Sequence, residues 1–226
     1  YPDEFIAKLA AIEERGVTVC NPPAVMRWNA DKRYLDELAQ QGAAIVPTLW
    51  RRDLGRAGVQ GAKTHFAADR VVVKRQVGAG GIGQHSFARD SLPDDSWTMG
   101  CPCMVQPFLP SVVEEGEFTY VFIDGAFSHG VCKRAGPDDY RIQSLYGGYE
   151  TPYTPDARDL AAAQAVVAAL PFEPLLYARI DMVRLPSGTL AVMEAELIEP
   201  YLYPEQADNL SELVARAVRA RLPSGS

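Results

Sequence analysis

The sequence predicts an α+β fold, and three observations lead there. Short apolar runs with two-residue alternation are separated by tight turn signals, the strongest being Asp124-Gly125 between the runs 117–123 and 126–133. Helical periodicity is confined to a few stretches, at residues 3–15, 29–41, 156–169 and 209–221. The strand candidates follow one another as hairpins, so a regular βαβ winding is not expected. With 226 residues, 47% of them hydrophobic and 23% charged, the chain is globular and holds one large domain or two small ones.

In chain order, Phe5, Ile6, Leu9 and Ile12 share one face of the first helix, which Gly16 ends. Residues 17–20 read as a short strand and Asn21-Pro22-Pro23 as a turn. Asn29-Ala30-Asp31 opens a second helix, closed by Gly42, and residues 44–48 read as a strand. Val71-Val72-Val73-Lys74 is a strand before a glycine-rich loop, and residues 84–88 are a strand after it. Met104-Val105-Gln106 is a strand that runs into Pro107-Phe108-Leu109-Pro110. After the 117–133 hairpin a strand is expected at 142–145, followed by an Ala-rich helix at 156–169. Residues 177–184 and 190–197 make a second hairpin about Pro186-Ser187-Gly188, and a helix closes the chain.

The formal net charge is −7 and no basic stripe is present, which argues against a nucleic-acid partner. A local cluster of cations can still hold an anion. No apolar run approaches the ~20 residues that span a bilayer. The chain opens Tyr1-Pro2-Asp3-Glu4, without a signal peptide, so a cytoplasmic location is expected. It also opens without Met and is read as part of a longer protein. Cys101-Pro102-Cys103 is too tightly spaced for a redox pair, and nothing completes a zinc site around Cys20 or Cys132. Reduced thiols are expected.

Two segments carry chemistry. Gly78, Gly80 and Gly83 fit G-x-G-x-x-G, with Gly81 between them, but no helix follows as a dinucleotide fingerprint requires. The loop lies between strands and reads as a flap whose bare N–H groups close over phosphates, with Lys74 adding a charge. The plain alternative is a mobile hairpin turn. In the second segment, Glu194 and Glu196 point to one strand face, and the hairpin brings Asp181 close to Glu194. Three converging carboxylates repel one another unless a hard cation such as Mg²⁺ or Mn²⁺ joins them. The alternative is a solvated acidic strand edge.

Taken in register, these features resemble the ATP-grasp superfamily over nearly the whole chain. Asn29-Ala30-Asp31-Lys32 resembles the opening that carries the first phosphate-contacting Lys, and Val73-Lys74 with its flap resembles the second. Met104 to Leu109 is similar to the linker that holds adenine. Glu117-Phe118-Thr119 is similar to the ribose-binding segment of D-alanine–D-alanine ligase, with Glu114 and Glu115 as neighbouring rivals. Lys133-Arg134, Asp139-Tyr140-Arg141 and Gly147-Gly148 look like glutathione synthetase and the ribosomal-protein glutamate ligases. Arg179-Ile180-Asp181 with Glu194-Ala195-Glu196 is similar to their metal signature, although the family usually has Asn where Glu196 stands, and Glu199 has no usual counterpart.

The resemblance implies two lobes with mixed or antiparallel sheets clamping ATP: residues 29–110 with the flap and 111–226 with the metal site, after a remnant of a preceding domain and linker at 1–28. It implies an ADP-forming ligase that joins a small amino-acid-like carboxylate to an amine-like nucleophile through an acyl phosphate. One substrate can also supply both groups and cyclise, as in cycloserine synthetase, which closes O-ureido-D-serine. ATP would lie on Lys32, Lys74, Lys133, the flap glycines, Gln106, Pro107, Phe108, Leu109 and Glu117. Mg²⁺ or Mn²⁺ would lie on Asp181, Glu194 and Glu196, while Lys74, Arg141 and Arg179 offset the developing charge. Arg141 could instead pair with Asp138 or Asp139, and His85 reads as a flap residue near phosphates or as a general base. Tyr146, Tyr149, Tyr201 and Tyr203 are acceptor-pocket candidates or ordinary half-buried aromatics. No membrane or nucleic-acid partner is expected, and a homo-oligomer is. The competing functions are an ATP-grasp phosphotransferase and a nucleotide-binding module without catalysis.

Overall fold

Two antiparallel sheets organise the chain, in keeping with the α+β expectation. The computed structural model describes residues 3–136 and 147–222. The first sheet has strand order β1-β4-β2-β3, from β1 (Leu49–Arg51), β2 (Val71–Arg75), β3 (His85–Phe87) and β4 (Cys103–Pro107). Helix α4 (Arg56–Phe66) covers one side of it, packing Val59 and Ala62 with Val71, Val73 and Val105. The glycine flap connects β2 to β3.

The second sheet has order β7-β6-β5-β8-β9: β5 (Glu117–Ile123), β6 (Ala126–Arg134), β7 (Tyr149–Tyr153), β8 (Tyr177–Arg184) and β9 (Leu190–Glu196). All seven residues of β5 are buried, since both faces are covered. Phe118, Tyr120 and Phe122 point into the main core with Ala163 and Val166 of α6 (Ala157–Ala168). Val121 and Ile123 point the other way, onto Leu210 and Ala217 of α7 (Leu210–Arg221). Glu117 and Thr119 share the face of Val121, beyond the reach of α7, and there the sheet turns polar. Asp124 and Gly125 both have positive φ, 54° and 75°, which is the two-residue hairpin turn the sequence predicts.

Several expectations are corrected. Residues 17–20 form no strand among the described residues. Pro22-Pro23 is a helix start: Pro23 is the first residue of α2 (Pro23–Asn29), where its missing N–H costs nothing. The helix expected from Asn29 begins only at α3 (Tyr34–Gln40), after a turn carrying Lys32. Residues 44–48 give a single bridge, Ile45 to Val192, and the strand proper starts at Leu49; Pro47 has no N–H to extend a ladder. Helix α4, the short α5 (Ser111–Glu114) and strand β7 were not expected, and the strand expected at 142–145 lies outside the described residues. No described helix is long and apolar enough to cross a membrane. All four cysteines are free, with Cys103 and Cys132 buried.

A partly buried ion pair fastens α6 to the second sheet. Asp156 caps the helix by accepting from the Asp159 N–H at 2.8 Å. The Asp159 carboxylate accepts from Arg184 Nη2 at 2.7 Å and from the Tyr153 hydroxyl at 3.1 Å. Arg184 also reaches Glu115 at 3.0 Å, just before β5. These bonds, Arg184 foremost, hold the Asp159 carboxyl below its ordinary range against the opposing effect of burial. Replacing Asp159 with Ala strands Arg184 and the Tyr153 hydroxyl, and should cost about 2 kcal/mol at pH 7. A carboxyl lowered on folding contributes stability above its unfolded pKa and loses it as pH falls through the folded value. The gap between wild type and Asp159→Ala in urea unfolding should therefore close as pH drops below the usual carboxylate range.

Candidate active site

Antiparallel register assembles the polar half of the second sheet. Residues directly opposite one another on neighbouring strands share a face. Glu117 on β5 stands opposite Lys133 on β6, and Thr119 on β5 opposite Asp181 on β8. Asp181 in turn faces Glu194 on β9, and Arg179 faces Glu196. The result is a charged ladder across four strands. Lys133 Nζ bridges Glu117 at 2.5 Å and Asp181 at 2.8 Å. Arg179 Nη2 donates to Asp181 at 2.9 Å and also to Glu196, and Nη1 donates to the Tyr201 carbonyl at 3.2 Å. Thr119 donates to the second Asp181 oxygen at 2.6 Å. A register shift between Asp181 and Met182 marks a bulge on β9 near Met193, a common device beside active sites.

The opposite wall comes from the first sheet and the α2–α3 turn. Lys32 Nζ lies 3.1 Å from Glu194 and bonds the Gly78 carbonyl, so it ties the flap to the carboxylate strand. Lys74 projects from β2 and finds only the Met193 sulfur, at 3.1 Å. It has no ion pair among the described residues. The flap turns on positive φ at Gly80, Gly81 and Gly83 (63°, 69° and 71°), and a Cβ on Gly83 would meet Arg75 Nε at 2.7 Å. Between these walls lies a cleft of about 470 Å³, within the usual range for a small-molecule site.

Electrostatics divide the ladder. Burial opposes charge on Asp181, but Arg179 and Lys133 overrule it and hold the carboxyl well below the ordinary range. Burial also opposes charge on Lys133, and Asp181 with Glu117 raises it regardless. Glu117 is pushed up by burial, which Lys133 only partly offsets. Glu196 is pushed up to about 7, by burial first, with Arg179 opposing and Asp181 and Glu194 reinforcing. Lys74 is lowered by burial despite the attraction of Glu194 and Glu117.

The cleft therefore brings together Lys32, Lys74, Glu117, Lys133, Arg179, Asp181, Glu194 and Glu196, together with Gly78, Gly80 and Gly81 of the flap. Gly83 packs on Arg75 instead of lining it. Gln106, Pro107, Phe108 and Leu109 do not line it either. Gln106 is buried and donates to Thr48 at 3.0 Å, Pro107 ends β4, the Phe108 ring lies 4.0 Å from the Arg70 guanidinium, and Leu109 packs with Val46 and Val183. Arg141 and Tyr146 lie outside the described residues.

Asp181 and Glu194 are cross-strand partners as predicted, but no three His, Cys, Asp or Glu side chains among the described residues form a metal-holding group. Each carboxylate has been drawn to a cation instead: Glu194 to Lys32, Glu196 to Arg179, Asp181 to Arg179 and Lys133. His85 packs edge-on against Trp97 with centroids 5.3 Å apart and does not line the cleft. Sequence reasoning passed over Thr119, although its place two residues after Glu117 on an alternating strand puts it on the same face. It also passed over Arg75 and Glu150, which line the cleft.

Comparison with known proteins identifies the class. No protein-family model matches the chain. Among solved structures, D-cycloserine synthetase DcsG superposes with a TM-score of 0.80 at 26% identity, over 97% of this chain and 79% of that one. A D-alanine–D-alanine ligase from Bacillus anthracis superposes with a TM-score of 0.69 at 18% identity, over 94% and 75%, which speaks to fold alone. The chain belongs to the ATP-grasp superfamily and is an ATP-dependent ligase of the class that joins carbon to nitrogen. In sequence it is 30% identical over 217 residues to the cycloserine biosynthesis protein DcsG of Streptomyces lavendulae, covering 89% of this chain and 72% of that protein. It is 28% identical over 186 residues to glutathione synthetase of Prochlorococcus marinus, covering 77% of this chain and 56% of that protein.

Lys74 gives the sharpest test of the cleft. An ammonium without a carboxylate partner is a cost to the empty protein and an asset to an anionic ligand. Lys74→Met should leave the unfolding midpoint without nucleotide unchanged or raise it. Calorimetric titration should show Mg·ATP binding at least tenfold weaker, from the loss of about 1.5–3 kcal/mol for a bond to a charged group.

Proposed function

We propose that the chain carries the nucleotide cleft and carboxylate centre of a carboxylate–amine ligase that activates its substrate as an acyl phosphate. The observation that carries this reading is the placement of Lys74, without an ion pair among the described residues, beside a glycine flap and across from the ladder of Asp181, Glu194 and Glu196. Residues 29–110 act as the flap-bearing lobe, 111–226 as the lobe with the carboxylates, and 1–28 as the link from a preceding domain.

Lys32, Lys74, Lys133 and the flap N–H groups of Gly78, Gly80 and Gly81 bind the phosphates of ATP, while Gly83 gives the flap its turn. The Pro107 carbonyl and the Leu109 N–H read the adenine edge, with Gln106 and Phe108 shaping that strand, and Glu117 bonds the ribose. Asp181, Glu194 and Glu196 are oxygen donors on adjacent strands facing one cleft. That donor set fits Mg²⁺ or Mn²⁺ once a polyanion draws away the cations now paired with them. When bound, the metal supplies charge neutralisation at the phosphates.

A substrate carboxylate oxygen forms a bond to the γ-phosphorus while the bond from that phosphorus to the β,γ-bridging oxygen breaks, releasing ADP. Arg179, with Arg141, offsets the charge that develops there. The flap excludes water from the acyl phosphate. The nucleophile's nitrogen then bonds to the acyl carbon, the carbon–oxygen bond to phosphate breaks, and the nitrogen gives up a proton. Amide and inorganic phosphate are the products. The 30% identity to a cycloserine biosynthesis protein supports the cyclising variant, in which one small amino-acid-like substrate supplies both carboxylate and nucleophile.

Trapping the intermediate tests this. The chain incubated with ATP, Mg²⁺, hydroxylamine and a panel of D- and L-amino acids should yield a hydroxamate of one class of carboxylate, with equal amounts of ADP and phosphate. Glu194→Gln should yield none. A stable phosphorylated product would assign the cleft to phosphotransfer, and ATP binding without turnover on any carboxylate would assign it to a regulatory module.

A further inference from the structure

Strand β9 is the edge of the second sheet, so its outward N–H and C=O groups need partners from outside the sheet. The carboxylates Glu194 and Glu196 flank Ala195, whose backbone faces away from β8. The Ala195 N–H donates to the Tyr34 hydroxyl at 2.9 Å, and that hydroxyl donates back to the Ala195 carbonyl at 3.1 Å. The same carbonyl accepts from Asn29 Nδ2 at 2.8 Å, and the Asn29 oxygen accepts from the Leu197 N–H at 3.0 Å. All four bonds are buried. Two side chains therefore occupy the place of a missing strand along the two residues that bracket Glu196.

Asn29 ends α2 and Tyr34 begins α3, and the turn between them carries Lys32. The clamp that fixes the backbone of β9 thus also fixes Lys32, whose ammonium lies 3.1 Å from Glu194. Tyr34 is itself immobilised, packed against Trp28 with ring centroids 5.1 Å apart.

We propose that Asn29 and Tyr34 are positioning residues that hold the phosphate-binding Lys32 in register with the carboxylates Glu194 and Glu196. The inference rests on the proposed reading of the cleft and adds to it two residues whose side chains bond the backbone of β9, Asn29 in the cleft wall and Tyr34 behind it. The clamp acts at the terminal-phosphate end only. Among the described residues its hydrogen bonds go to Ala195 and Leu197, and none goes to Gln106, Pro107 or Leu109, at the proposed adenine end.

Asn29→Ala removes two buried backbone partners and puts the fold itself at risk. Tyr34→Phe keeps the ring and removes one oxygen, leaving the Ala195 N–H without its partner. Calorimetric titrations of Mg·ATP and of AMP into wild type, Tyr34→Phe and Glu194→Gln form the experiment. Expected is Mg·ATP binding about tenfold weaker in Tyr34→Phe, with AMP affinity within twofold of wild type. A merely structural hydroxyl lowers the unfolding midpoint and leaves both affinities unchanged or weakens them equally; either result overturns the proposal. If wild type binds no Mg·ATP, or Glu194→Gln binds it as wild type does, the reading of the cleft falls and the clamp falls with it. Loss in Glu194→Gln without selective loss in Tyr34→Phe leaves the reading standing and removes the clamp alone.

Discussion

A charged side chain leaves water only with a partner, and the second sheet buries Glu117, Lys133, Arg179 and Asp181 on one face. Their mutual satisfaction is the constraint on which the rest of the structure depends. The bonds run between β6, β5, β8 and β9, so they exist only in one strand order and one register. A slip of one residue in β8 would carry Asp181 and Arg179 to the opposite face, among Phe118, Tyr120 and the apolar side of α6. Few devices specify register more strongly than two facing charges whose alternative environment is hydrocarbon.

That constraint explains why β5 is buried along its whole length. Its alternate residues serve the main core on one side and the α7 core on the other, and the ladder begins where α7 stops. The edge of β9 is closed by Asn29, Tyr34 and the passing segment at Ala44 to Val46, whose backbone bonds Val192 at 2.8 and 3.2 Å. An edge paired in this way is withdrawn from association with other chains.

Much of this was legible in the sequence. Alternation and the turn at Pro186 to Gly188 sufficed to bring Asp181 close to Glu194, but the register set by the turn alone would face Asp181 with Met193, and it is the bulge at Met193 that makes Glu194 its partner. The glycine run was readable as a flap, because the segment after Gly83 carries no helical period. The pairing of Lys133 with Asp181 was not legible. It depends on β5 lying between β6 and β8, and strand order is not a local property. Helix α2 was hidden by reading Pro22-Pro23 as a turn, when proline is equally at home at the first helical residue. Helix α4 was hidden by Gly58 and Gly61, poor helix formers held there by packing against β2 and β4.

The cleft sets cations and carboxylates in close balance, and this bears on how a ligand enters it. Lys32 satisfies Glu194, and Lys133 and Arg179 satisfy Asp181. In the proposed function a triphosphate competes for some of those cations. Whatever Lys32 gives to phosphate it takes from Glu194, which is then left facing Asp181 uncompensated. A divalent cation relieves that repulsion, and its own binding becomes favourable only once the lysine has moved. Phosphate and metal must therefore favour each other's binding, by the same free energy in either order. Lys74 sets the starting point, since a buried ammonium with no ion pair among the described residues is costly and offers the polyanion a partner that no carboxylate holds there. The clamp on β9 then matters because the exchange needs Lys32 and Glu194 to part by a side-chain movement alone, with their backbones held in place.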